Sequence, residues 1–195
     1  MSPQTFVFIG RSGCGKGTQS ELLQKILKEK NPETEIFYLE TGQEFRDFIS
    51  ADGYSNKLAK KVQEIGGLQP VFLAVWIWSN AIIRKLKPDQ HLFVDGTPRK
   101  LSEAIVFTEA MKFYSRKPTV IYLDVSRTWS EDRLKDRHRS DDELSFVKTR
   151  LDWFDSDVMP AVDYFKTSSD VTFFDVDGER TIDEIHKDIV NKINW

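Results

Sequence analysis

The chain has 195 residues, 39% hydrophobic and 30% charged, with 14 Phe and 5 Trp. That suits one domain with a substantial apolar core and excludes long disordered tracts. Lys and Arg number 28 against 31 Asp and Glu, a formal charge of −3, so no global field draws the chain to a nucleic-acid backbone, and no nucleic-acid partner is expected. One cysteine makes neither an internal disulfide nor a cysteine-rich zinc site. No apolar run approaches a membrane span, and the first glycine comes too early for a signal sequence's apolar stretch, so the expectation is a cytoplasmic protein without a membrane partner.

In chain order, Thr5–Ile9 (TFVFI) is a β-branched and aromatic run ending at glycine, the pattern of a buried strand. A glycine-rich turn follows. Between Thr18 and Lys30, Leu22, Leu23, Ile26 and Leu27 recur at helical spacing until Asn31-Pro32 stops the helix. The segment Thr41–Gln69 is polar, has few strand signals and ends at Gly66-Gly67, which predicts a small helical insertion. Pro70 opens a stretch, PVFLAVWIWSNAII, that is apolar almost all round; core packing is expected, with an oligomer contact as the alternative. Strand-like runs recur at Ile36–Leu39, His91–Val94, Thr119–Val125 and Val171–Val176, with helical segments between them. Strands alternating with helices predict an α/β fold, a mostly parallel sheet covered on both faces. Ile182, Ile185, Ile189, Val190 and Ile193 mark a final amphipathic cover helix.

Between the first strand and first helix lies Gly10-Arg11-Ser12-Gly13-Cys14-Gly15-Lys16-Gly17-Thr18. Glycines let successive backbone N–H groups turn inward on anionic oxygens, and the helix N-terminus behind them adds about half a positive charge. Lys16 can reach a terminal phosphate as a point charge. The general phosphate-loop pattern places Ser or Thr directly after the lysine; here that place is Gly17, and the hydroxyl falls on Thr18. The bland alternative is a turn that binds nothing, which the lysine at the loop end and the strand before it argue against. The thiol of Cys14 reads as incidental, with a pKa lowered by the inward N–H groups as the alternative.

The run Gly13-Cys14-Gly15-Lys16-Gly17-Thr18-Gln19, with glycine after the lysine, resembles the adenylate kinase family of nucleoside monophosphate kinases. Further segments agree in order and spacing: Thr41-Gly42 with Arg46 resembles TG-x-x-x-R, Gly66-Gly67-Leu68-Gln69-Pro70 resembles G-x-L-V-P, and Asp95-Gly96-Thr97-Pro98-Arg99 resembles DGFPR. Arg133 and Arg137 stand one helical turn apart, and Arg139-Ser140-Asp141-Asp142 followed by Arg150 resembles R-x-D-D…R-L. The resemblance covers almost the whole chain. It implies a P-loop kinase core, an acceptor-binding subdomain over residues 40–69, a lid reduced to residues 137–142, and reversible phosphoryl transfer from MgATP to a nucleoside monophosphate, with AMP as the favoured acceptor.

By the same resemblance, Gly13, Cys14, Gly15, Lys16, Gly17 and Thr18 cradle ATP, with Arg133 and, through the segment Gly178–Arg180, Arg180 near its base. Thr41, Gly67, Gln69 and Gly96 meet the acceptor, and Arg46 and Arg99 hold its phosphate. Lys16, Arg99, Arg137, Arg139 and Arg150 gather around the transferred group, Arg139 and Arg150 touching the acceptor also. Asp95 holds Mg²⁺, through water given how that ion keeps its hydration. The chemistry agrees: phosphoryl transfer needs alignment and neutralised charge, which arginine forks provide. Taken alone, EDRLKDRHRSDDE reads as a solvated helix face, Arg46 and Arg150 as surface arginines, and Asp95-Gly96 as a turn.

The chain also departs from the family pattern. Only His138 separates Arg137 from Arg139, and there is no four-cysteine zinc lid, so poorer exclusion of water from the site is expected. Glu103 stands where adenine-specific members have glutamine, and Thr97 where they have phenylalanine. An ionised carboxylate only accepts hydrogen bonds, which raises GMP as an alternative acceptor; a protonated one could still meet adenine. A switch-type GTPase would need N-K-x-D after a strand, whereas Asn191-Lys192-Ile193-Asn194 ends in Asn and sits in the final helix, and Asp175-Val176-Asp177-Gly178 comes too late for a γ-phosphate sensor. A P-loop kinase of a non-nucleotide metabolite is the nearer rival. The sequence leaves monomer and homo-oligomer both open.

Overall fold

The computed structural model describes residues 2–137, 144–193 and 195. Its centre is a five-stranded sheet of β1 (Thr5–Gly10), β2 (Ile36–Glu40), β3 (His91–Asp95), β4 (Thr119–Asp124) and β5 (Thr172–Asp177). The strands run in the order β2-β3-β1-β4-β5, every pair parallel. All five strand runs expected from the sequence are strands within a residue at either end. β1 is nearly inaccessible along its length, as expected when helices cover both faces of a parallel sheet.

Alternation along β1 divides the interior. Val7 and Ile9 point into one layer with Leu39, Trp78, Leu92, Phe107 and Phe165, whereas Phe6 and Phe8 point into the other with Leu23, Leu27, Phe93 and Ile189. The second layer is roofed by α1 (Lys16–Lys30) and α9 (Ile182–Lys192). Thr181 opens α9 with a capping box: its hydroxyl accepts from the Glu184 N–H while the Glu184 carboxylate takes the Thr181 N–H.

The insertion is helical, with α2 (Thr41–Ser50) and α3 (Tyr54–Glu64). It leads into α4 (Val71–Lys85), whose faces differ. Leu73, Ala74, Ile77, Trp78, Ala81 and Ile82 are buried, whereas Phe72, Trp76 and Ile83 are exposed, so the all-round apolar sequence is core on one side only. Ala59, Leu73 and Ile77 form a small separate cluster with Phe45, Phe48 and Ile49. α5 (Leu101–Phe113) and α8 (Met159–Thr167) pack in the same layer as the buried face of α4, and α6 (Arg127–Arg137) and α7 (Leu144–Trp153) share a small cluster of Leu134, Val147 and Leu151. A single π-helical turn, Phe154–Val158, joins α7 to α8; such turns favour functional sites, and nothing in the sequence pattern announced it.

Strand order reverses around β1, with β3 on one side and β4 on the other. In open α/β sheets the crevice outside the carboxyl ends of the strands at such a point is where ligands sit. The register sets Phe8 beside Asp95 and Gly10 beside Leu123, bringing the β1 turn and the end of β3 to the same rim.

Candidate active site

The glycine-rich turn leaves β1 and enters α1 at Lys16, two residues before the expected start. Gly13 and Gly15 have φ of +84° and +95°, left-handed values that a side chain disfavours. No heavy atom lies within 4 Å of where a Cβ would sit on Gly15 or Gly17, so the backbone faces open space there. Lys16 curls back over its own loop: Nζ donates to the carbonyl oxygens of Gly10 (2.8 Å) and Arg11 (3.0 Å). An arriving phosphate therefore offers this ammonium stronger, charged acceptors in place of neutral ones.

The turn opens on a cleft of about 930 Å³. Gly13, Gly15, Lys16, Gly17 and Thr18 form one wall; Thr41, Arg46, Gly67 and Gln69 come from the insertion; Asp95, Gly96, Arg99 and Glu103 from the β3–α5 connection; and Arg150 from α7. Cys14, Arg133 and Arg180 lie instead on a smaller pocket of about 300 Å³, which shares Gly13, Gly15 and Thr18 with the first and adds Trp129, Gly178 and Ile182. The loop is thus the partition between two cavities. Arg137 closes α6, but its side chain, together with His138, Arg139, Asp141 and Asp142, lies outside the described residues.

Arg99 is the most constrained of the cleft's cations. Its Nε donates to the Gly96 carbonyl (2.8 Å), and its guanidinium lies over the Trp153 ring, 5.2 Å from the centroid. Burial pushes its pKa down from the ordinary arginine range; Glu103 and Asp95 oppose this, and the nearby Arg150 adds to it. At any physiological pH it stays a cation. Arg46 is held half-exposed by Glu40 (2.8 Å) and by Gln43 Oε1. Two polar atoms on the cleft walls, Thr41 Oγ1 and Gln69 Oε1, are buried without a hydrogen-bond partner, which marks them as ready for a ligand.

Asp95 accepts from the Tyr38 hydroxyl (3.2 Å). Burial, then Asp95 itself, pushes the Tyr38 phenol up, so it remains a donor that orients the carboxylate. Among the described residues no three His, Cys, Asp or Glu side chains cluster as a metal cage. A single carboxylate beside a phosphate loop is the donor set on which Mg²⁺ relies when phosphates and water complete its shell. The lowered-pKa alternative for Cys14 does not hold: burial raises its pKa, and Lys16 offsets this only in part.

Several contributors were not legible in the sequence. Arg11, inside the turn, donates to the Val125 carbonyl (2.8 Å), pairs with Asp155 of the π turn and lies over the Phe154 ring. Trp129 stacks under Arg133 at 4.8 Å in the smaller pocket. Trp153 donates from Nε1 to the Gly66 carbonyl (3.2 Å), tying α7 to the end of the insertion. Arg11 and Trp153 act through partners far along the chain. Trp129 precedes Arg133 by one helical turn, the only local signal among them.

A family model described as adenylate kinase matches residues 8–170. An adenylate kinase of Parabacteroides distasonis is 32% identical over 193 residues, 96% of either chain. One from Prochlorococcus marinus is 30% identical over 188 residues, 96% of this chain and 97% of that one. A uridylate kinase of Saccharomyces cerevisiae is 29% identical over 191 residues, 95% of this chain and 88% of its own length.

Proposed function

The chain belongs to the adenylate kinase family and is a nucleoside monophosphate kinase, and we propose that it transfers the γ-phosphoryl group of MgATP to AMP, giving two ADP. The observation that carries this reading is the convergence of Lys16, Arg46, Arg99 and Arg150 on one cleft at the carboxyl ends of β1 and β3. In the transfer, an oxygen of the acceptor phosphate attacks Pγ as the bond to the ADP leaving oxygen breaks. No protein nucleophile is needed; the work is alignment and neutralisation of charge.

Gly13, Gly15, Gly17 and Thr18 receive the donor phosphates on backbone N–H groups, and Lys16 swings from its loop carbonyls to the terminal phosphates. Arg99 and Arg46 grip the acceptor phosphate, Arg99 already aimed by Gly96 and Trp153. Arg150, with Arg137 and Arg139, surrounds the group in flight. Asp95, oriented by Tyr38, would hold Mg²⁺ through water; when bound, the ion screens the donor phosphates and polarises their oxygens. The smaller pocket, lined by Arg133, Trp129 and Arg180, takes the donor base, and Thr41, Gly67 and Gln69 take the acceptor base. On this reading residues 40–69 are the acceptor-binding subdomain and residues 137–142 the shortened lid.

AMP is favoured by Thr41, which offers a buried hydroxyl to the acceptor, and by the adenylate kinases among the relatives. The test is turnover of MgATP with AMP, GMP, CMP and UMP in parallel, with an arm lacking acceptor. ADP formation strongest with AMP is expected, together with a measurable acceptor-free leak of ATP to water through the shortened lid. Acceptor-dependent turnover strongest with UMP or CMP would overturn AMP as substrate. No acceptor-dependent turnover would overturn the reading of the cleft.

A further inference from the structure

Glu103 is the third residue of α5. It is only 3% exposed, yet it lines the cleft on the wall assigned to the acceptor. Thr97 Oγ1 donates to its Oε2 (3.1 Å), so one oxygen is fixed from the side of the β3–α5 connection. The same cavity is lined by Thr41 and Gln69, whose Oγ1 and Oε1 are buried without a partner; the Gln69 amide nitrogen is already committed to the Ala59 carbonyl (2.8 Å). The lining thus offers a hydroxyl that can donate or accept and an amide oxygen that only accepts, and what it asks of a ligand depends on whether the Glu103 carboxyl carries a proton.

We propose that the protonation state of Glu103 selects the acceptor base. As the acid, it presents one donor and one acceptor, the complement of adenine's N1 and exocyclic N–H. As the carboxylate, it presents two acceptors, the complement of guanine's adjacent N1–H and exocyclic N–H. Uracil shows two carbonyls flanking one N–H and is the poorest fit to a carboxylate. This rests on the preceding reading, in which Glu103 faces the acceptor base, and adds to it a pH-dependent choice between purines.

The surroundings act on the Glu103 carboxyl in opposite directions, and burial prevails. Burial raises the Glu103 pKa; the Thr97 hydroxyl, the Arg99 charge and the N–H groups of Arg99 and Lys100 pull the other way. The charged groups that line the same cleft are Arg99 on its own connection, Asp95 at the end of β3, Arg150 on α7, Glu40 at the end of β2, Arg46 on α2, Lys60 and Glu64 on α3, and Lys16 and Glu21 on α1. At the rim, Lys100 pairs with Asp157 of the π turn. A raised pKa means that the acid persists to higher pH than in a free carboxyl, so the adenine-reading form holds at the lower end and gives way as pH rises.

The experiment is kcat/KM for AMP and for GMP, at saturating MgATP, across about pH 5.5 to 8.5, in the wild type and in Glu103→Gln. The ratio of the two is the readout, because both acceptors carry the same phosphate and its own titration, near pH 6, cancels. In the wild type the AMP-to-GMP ratio is expected to fall about tenfold as pH rises, the scale of one mismatched hydrogen bond. In Glu103→Gln, whose amide has the donor–acceptor pattern of the acid at every pH, the ratio stays flat and favours AMP. Direct binding of AMP and GMP without ATP should follow the same trends. A flat wild-type ratio overturns the proposal whatever the variant does. A Glu103→Gln ratio that falls as steeply as the wild type's also overturns it, by placing the titrating group elsewhere. Absence of turnover with both acceptors at every pH overturns the reading of this wall as a purine site, which a flat but active profile does not.

Discussion

Arg99 meets three restraints of different kinds: a hydrogen bond to Gly96 O, an aromatic face from Trp153, and the like charge of Arg150. The first two fix its plane, and the third keeps it eager for an anion. Lysine could supply the charge at this point but neither the fork nor the stack. Arg99→Lys is therefore expected to lower kcat/KM for the acceptor by roughly 30-fold, about 2 kcal/mol, with the melting temperature little changed. Steady-state kinetics beside a thermal melt checks both halves. Glu103 gives a prediction about stability instead. Its folded pKa is raised, so the native state holds the proton more tightly than the unfolded chain, and stability falls as pH rises through the folded value. Glutamine at this position removes that cost while still accepting from Thr97. Glu103→Gln should melt above the wild type at mildly alkaline pH, with the gap closing in acid below the unfolded value. A gap that widens in acid would contradict the sign.

Between elements, the π turn and its neighbours act as a strap. Arg11 in the phosphate turn reaches Asp155, Arg127 at the start of α6 reaches Asp152 and Asp155, and Trp153 reaches Gly66. α7 and the π turn are thereby fastened to the glycine-rich turn and to α6 by ion pairs, and to the end of the insertion by one hydrogen bond. Trp153→Phe keeps a ring beneath Arg99 but loses the N–H. The expectation is a rise of about fivefold in acceptor KM, from about 1 kcal/mol, with donor KM unchanged; equal changes in both would assign Trp153 to general packing. This strap marks the limit of what could be read from the sequence. The turn from β1 to α1 was legible because strand, glycines, lysine and helix are contiguous, and each has its own local signature. Asp95 and Arg99 were legible through their short shared motif. The contacts of Arg11 with Asp155 and of Trp153 with Gly66 join residues 144 and 87 positions apart, and no residue pattern encodes a pairing that arises only after the sheet has brought distant segments together. The exposed face of α4 was hidden for a related reason: Phe72, Trp76 and Ile83 are as apolar as their buried neighbours, so periodicity could not separate the two sides.

At the scale of the molecule, the sheet is a rigid reference for both phosphates. β1 lies at its centre, paired on either side, and the two large apolar layers meet on its alternate residues. A one-residue slip between β1 and β3 would shift Asp95 by about 3.3 Å relative to the glycine-rich turn and turn Phe6 and Phe8 to the wrong layer, so the register that builds the core also sets the distance between the Asp95 carboxylate and Lys16. The insertion enjoys no such anchorage. Its interior is the small cluster of Ala59, Leu73 and Ile77 with Phe45, Phe48 and Ile49, apart from the main layers. A segment with so little buried surface of its own opens at lower free energy than the sheet. Amide protons of α2 and α3 should accordingly exchange with deuterium well before those of β1 and β3, and saturating AMP should slow exchange in α2 and α3 far more than in the strands. Cleavage by a protease under native conditions should begin there too. On the proposed reading, the part of the chain that chooses the acceptor is thus the part most readily remodelled, and substitutions within it would alter which nucleotide is received while the machinery that moves the phosphoryl group stays intact.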